Sequence, residues 1–183
     1  MANIFRLGAP ISVLVWLAIV SCGSAETETQ IPERTAEDFL ASIQGMEREL
    51  AEFDQVNNQA VGDLRRSLMV AYGDFSRMHG GHPEIPEMLF RRAYLLIQAE
   101  KYEDAVLQLQ DVHDGYPTFD KQAWCALLMA FVYEEKLKDR ELAIRSYERV
   151  MALHPDSPEA DMAEQLLDRL RKLPGTSIEV RVD

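Results

Sequence analysis

Basic residues are scarce and scattered in this chain: 19 Lys and Arg stand among 31 Asp and Glu, for a formal net charge of −12. A phosphate-binding surface needs clustered cations to displace condensed counterions, so nucleic acid is excluded as a partner class, and a basic partner or simple solubility fits the charge. Cysteine is rarer still. Cys22 and Cys125 do not make a disulfide framework. Strongly β-branched runs are few, which leaves an all-helical fold as the default. The longest apolar run, residues 11–20, is about half of the roughly 20 residues that a membrane span requires. No glycine-rich phosphate loop and no G-x-S-x-G elbow occurs, and Cys125 has no accompanying His or Asn motif of a thiol enzyme. No residue carries catalysis, and no cofactor is implied.

What the chain does contain is one pattern written twice between residues 86 and 155. The first copy is PEMLFRRAYLLIQAEKYEDAVLQLQDVHDGYP and the second is KQAWCALLMAFVYEEKLKDRELAIRSYERVMALHP. Each has a helix-period run with a small residue midway (Ala93, Ala130), a charged turn, and a second run opening on Ala105 or Ala143. Each then closes on Tyr116-Pro117 or His154-Pro155. The alanines Ala105 and Ala143 lie 38 positions apart, as do the two prolines, so the copies are in register over their second halves. Small residues let helices approach closely, large apolar residues three or four positions away fill the space, and proline ends each unit.

These residues resemble the tetratricopeptide repeat, with Leu89, Ala93 and Leu96 on the first helix of one unit and Ala105, Leu109, Val112 and Pro117 on the second. In the next unit Ala130 and Val132 or Tyr133, then Ala143, Tyr147, Val150 and Pro155, take those parts. The resemblance implies an all-α solenoid of helix-turn-helix units over residues 84–155. Two departures stand out. Arg92 occupies a place where the family usually has a large apolar residue, and the second unit has one extra residue in its turn at 136–139.

The N-terminus reads as an address. One charge, Arg6, precedes the apolar run, and a small-residue exit follows, which is the pattern of an export signal over residues 1–21. Its exit, Ile19-Val20-Ser21-Cys22, resembles the lipobox of bacterial lipoproteins. That resemblance implies cleavage before Cys22 and lipid on its sulfur and amino group, several acyl chains each contributing about 0.8 kcal/mol per buried CH₂. Residues 22–34 then form a small, polar, acidic tether.

Thr35-Ala-Glu-Asp38 has the form of a helix N-cap. Two amphipathic runs follow, with Phe39, Ile43, Met46 and Leu50 on the first and Val61, Leu64, Leu68, Tyr72 and Phe75 on the second, which stops at Gly80-Gly81. His82-Pro83 repeats the exit of the later units at a spacing of 34 residues, so residues 35–83 read as a degenerate N-terminal hairpin. Ser157-Pro158 starts a last helix, residues 156–173, with an apolar stripe of Ala160, Ala163, Leu166, Leu167 and Leu170 opposite a charged face. That is the pattern of a capping helix, for about seven helices in all. Residues 174–183 alternate Ile178, Val180 and Val182 with charges and form a tail.

His79-Gly-Gly-His82 with Glu84 is the only local cluster of metal-like residue types, but His82 and His154 both precede a repeat-closing proline, a place that Tyr116 also fills. Ring packing accounts for them, and no metal is expected. The family resemblance implies instead a partner-binding groove lined by first-helix residues: Glu87, Phe90, Tyr94 and Ile97, then Trp124, Leu127, Phe131 and Glu134. The same eight residues serve equally well as core covered by the helices before residue 80, and both readings stand. The HPDSPEADMAEQLLDRL stretch is similar to the repeats of tetratricopeptide lipoproteins of the barrel-assembly and Tol-Pal-associated type. Together these resemblances imply a lipid-anchored adaptor that holds a protein partner in the bacterial envelope, facing the periplasm at the outer membrane, and monomeric outside any complex. A permanent subunit of an outer-membrane assembly complex is the alternative, and a small metal- or thiol-dependent enzyme is the alternative of another class.

Overall fold

The computed structural model describes residues 35–53 and 59–172. The segments read above as an export signal, a lipidated Cys22, an acidic tether and a tail lie outside the described residues. Among the described residues seven α-helices follow in order: α1 (Ala36–Phe53), α2 (Gln59–Met78), α3 (Ile85–Gln98), α4 (Tyr102–Gly115), α5 (Gln122–Phe131), α6 (Arg140–Leu153) and α7 (Pro158–Lys172). Each packs against its neighbours in sequence, and α5 also touches α7. No strand occurs among the described residues. The fold is the all-α helix-turn-helix solenoid that the repeat pattern predicts.

Local chemistry sets the ends. The Thr35 hydroxyl accepts from the Asp38 backbone N–H at 3.2 Å while the Asp38 carboxylate accepts from the Thr35 N–H at 3.2 Å, a reciprocal cap. At the start of α6 the capping side chain is Asp139, whose carboxylate accepts from the Leu142 N–H at 2.8 Å. Gly81 closes the α2 end at φ +93°, a region that side chains avoid. All three unit exits share one turn: the carbonyls of His82, Tyr116 and His154 accept from the N–H groups of Ile85, Phe119 and Ser157 at 3.1, 3.0 and 3.0 Å. Pro83, Pro117 and Pro155 sit second in that turn, where a fixed φ near −65° costs nothing.

The turns inside the two units also correspond. Glu100 and Lys138 both adopt left-handed backbone, at φ 59° and 56°. In the first unit the Lys101 N–H then reaches the Leu96 carbonyl at 2.9 Å, a Schellman closure. The second unit corrects the sequence reading. Its extra residue does not lengthen the turn at 136–139; it is absorbed by a π-helical turn at Val132–Lys136 that continues α5. The closing bond is widened by one residue, from the Asp139 N–H to the Tyr133 carbonyl at 2.9 Å.

Two apolar clusters fill the interior. Phe39, Ile43, Leu68, Tyr72 and Phe75 meet Ile85 and Leu96 in the first, and Leu109, Cys125, Val132, Tyr147 and Val150 meet Leu167 in the second. The repeat alanines Ala93, Ala105, Ala130 and Ala143 are all fully buried where helices approach closely. One methyl is all the room there.

Candidate functional site

The first helices of successive units, α1, α3 and α5, together with α2 and α7 supply the walls of two apolar cavities. The larger, about 360 Å³, lies between α5 and α7 and is lined by Trp124, Leu127, Leu128, Phe131, Met162 and Leu166, with Glu135 and Arg169 at its rim. The second, about 330 Å³, is lined by Glu47, Leu50 and Ala51 of α1, Leu68 and Tyr72 of α2, and Arg91, Tyr94 and Leu95 of α3. Between them stands a hydrogen bond, from the Trp124 indole N–H to the Tyr94 hydroxyl at 2.7 Å. Tyr94 borders one cavity and Trp124 the other.

The eight residues read as a groove divide in the structure. Trp124 and Phe131 line the larger cavity and Tyr94 the smaller, with Phe131 exposed at its mouth. Ile97 is half-buried and packs against both clusters. Phe90 and Leu127 correct the groove reading, because both are buried core. Phe90 is wedged edge-on between Tyr94 and Phe119, with ring centroids 5.1 and 6.0 Å away, so a partner cannot reach its face. Leu127 shows the larger cavity only an edge.

The two acids offered as the rim are spoken for. The Glu87 carboxylate accepts from Lys121 Nζ at 2.6 Å and from Arg91 Nε at 2.9 Å. Burial pushes its pKa up, and the hydrogen bonds from Lys121 and Arg91 outweigh burial and hold it below the ordinary carboxylate value. Glu134, its side chain only 7% exposed, lies in the π-helical turn and accepts from the Tyr147 hydroxyl at 2.7 Å and from Arg169 at 2.8 Å. It ties α5 to α6 and α7. Burial and that same bond push the Tyr147 phenol well above its ordinary pKa. Neither acid is a free group awaiting a ligand.

Several cavity residues escaped the sequence reading. Met162 and Leu166 belong to α7, which its stripe marked only as a cap. Met162 falls outside that stripe, and an isolated methionine on a charged helix face was the available signal. In the structure it is 44% exposed beside Phe131, at 40%. Glu47 of α1 accepts from the Tyr72 hydroxyl at 2.5 Å and from Arg91 at 2.8 Å, fastening α1 across α2 and α3. Such long-range partners leave no periodic mark.

The histidines pack as rings. His79 lies against Phe75 at 4.9 Å and Phe39 at 6.1 Å, and His82 meets Phe75 edge-on at 5.1 Å. No group of three His, Cys, Asp or Glu side chains converges on a metal position among the described residues. Cys125 is fully buried, and burial raises its thiol pKa to about 12, the opposite of what a nucleophile needs.

Residues 124–157, from α5 through the exit of α6, match the tetratricopeptide repeat family model. Among solved structures, a tetratricopeptide repeat protein from Parabacteroides merdae ATCC 43184 is similar, with a TM-score of 0.45 at 15% identity over 74% of this chain and 54% of that one. The chain thus spans about half the length of that protein. No curated protein matches it.

Proposed function

We propose that this chain is a non-enzymatic, lipid-anchored adaptor of the bacterial envelope that holds a protein partner on the face formed by α5 and α7. The observation that carries the reading is the cavity between those helices, apolar inside and open at Phe131 and Met162. Exposed aromatic and methionine side chains over a preformed apolar cavity suit an anchor residue from a partner's helix or peptide. The tetratricopeptide match over 124–157 supports protein binding as the kind of function. The anchor rests on the sequence Ile19-Val20-Ser21-Cys22. Tethering would keep a modest site at high effective concentration near membrane partners, so weak contacts suffice.

The test is crosslinking in native membranes with wild type and a Phe131→Glu, Met162→Glu double variant that keeps its helical circular dichroism. A specific crosslinked partner lost in the variant supports the cavity, and an unchanged partner set refutes it. In the same cells, Cys22→Ala is expected to move the protein out of the membrane fraction.

A further inference from the structure

Arg92, the residue that departs from the repeat pattern, stands on the floor of a cleft that the function above does not use. One face of α2 supplies Arg66, Met69, Val70, Gly73, Asp74 and Arg77, at the i, i+3, i+4 and i+7 spacing of a single helix stripe. The floor is Arg92 and Leu96 of α3, and Lys101 of the α3–α4 turn borders the opposite side. The cleft holds about 410 Å³. Four cations and one carboxylate line it, in a protein whose formal net charge is −12.

Compensation within the cleft is poor. Arg66 pairs with Asp63 and Arg77 with Asp74, but these are solvent-exposed pairs within one helix turn, weakly held and readily exchanged. Arg92 has no carboxylate partner among the described residues. Its Nε donates to the Met69 carbonyl at 3.1 Å and its Nη1 to the Gln108 side-chain oxygen, which leaves Nη2 without a hydrogen-bond partner there. Lys101 likewise has no side-chain partner among the described residues. A half-buried guanidinium held in place by two neutral acceptors, with donors to spare, is pre-set for a carboxylate.

The spacing favours an extended acidic segment over a single small anion. Arg66 and Arg77 are separated along α2 by roughly 16 Å at 1.5 Å per residue, the reach of about five residues of extended chain. Val70, 61% exposed, lies between them and offers an apolar contact. A flat bilayer surface cannot reach the recessed Arg92, whereas a side-chain carboxylate can. The protein's overall negative field does not forbid this, because at 0.15 M salt it is screened beyond about 8 Å. The geometry points to a second interaction surface, on the α2 side of the repeat and independent of the α5–α7 cavity, that takes an extended acidic peptide with an apolar residue between its carboxylates.

The probe is a fluorescein-labelled peptide of four Glu-Val pairs, titrated into the whole protein by anisotropy, with a Gln-Val peptide and phosphatidylglycerol vesicles as the comparison arms. Arg92→Leu and Lys101→Glu are each expected to weaken the Glu-Val peptide at least tenfold, and Phe131→Glu to leave it unchanged. Binding should also fall as salt rises from 50 to 300 mM. Lys101 is an exposed turn residue, so its variant keeps the test decisive if Arg92→Leu fails to fold. The proposal is overturned if the Glu-Val peptide does not bind, if the Gln-Val peptide binds equally, if Lys101→Glu changes nothing, or if only the vesicles bind through these residues.

Discussion

Removing the Glu134 carboxylate should loosen the C-terminal end of the solenoid far more than its position in a helix-end turn suggests. Its two oxygens divide between Tyr147, whose side chain is fully buried, and Arg169, which is half exposed. Glu134→Ala leaves the Tyr147 hydroxyl buried without an acceptor, a loss of about 1–3 kcal/mol. The exposed half of the bridge, to Arg169, adds no more than about 1 kcal/mol. A total near 1–4 kcal/mol would lower the melting temperature by roughly 3–12 °C for a domain of this size. Urea unfolding of Glu134→Ala, Tyr147→Phe and the double variant separates the contributions. Tyr147→Phe alone leaves the largely buried Glu134 Oε2 without its donor while Arg169 still holds Oε1, so the two single losses should exceed the double loss by about 1–2 kcal/mol. Arg169→Ala should cost less than either. If Glu134→Ala costs under about 0.5 kcal/mol, or the cycle is additive, the carboxylate is solvated and does not tie α5 to α6 and α7.

Three further outcomes follow from the same geometry. Glu100→Gly and Lys138→Gly each relieve a left-handed side-chain residue and should each raise stability by about 0.5–1 kcal/mol, and a loss in urea unfolding would show that these turns are unstrained. Cys125, with its thiol pKa near 12 and no exposure, should resist aromatic disulfide reagents at pH 8 in the folded protein and react at once in guanidinium; rapid native labelling would refute the burial. The His154 ring lies with its Nε2 3.0 Å from Nε2 of His113, and burial, then His113, holds its pKa below the ordinary histidine value. A depressed base binds fewer protons folded than unfolded, so its stabilisation is complete above about pH 6.5 and is lost as pH falls through the lower folded value. Asp114, held low chiefly by its hydrogen bond with His113, acts in a separate window below the ordinary carboxylate pKa. Melting curves from pH 8 to pH 5 should therefore fall, and His154→Asn should flatten that fall; an unchanged slope would remove His154 from the account.

Much of the architecture was legible from residue order because it follows from short-range rules. The 38-residue spacing of Ala105 and Ala143 reappears as two buried contacts, and the three prolines after His82, Tyr116 and His154 reappear as three equal turns. Periodicity records which face of a helix is apolar, and proline and glycine record where backbone must turn. What it does not record is depth. Phe90 and Phe131 are aromatic residues on equivalent-looking first helices, yet one is sealed between Tyr94 and Phe119 and the other opens onto a cavity shared with Met162 of α7. Glu87 and Glu134 look like free acids in sequence, and only packing brings Lys121, Tyr147 and Arg169 to them. The chain by itself determined the repeat, its helices and their exits, because those depend on residues within a turn or two of one another. Tertiary structure alone decided which side chains line a cavity and which are sealed in the core, where the extra residue of the second unit went, and why Arg92 ended without a carboxylate, because each depends on groups that meet from distant helices.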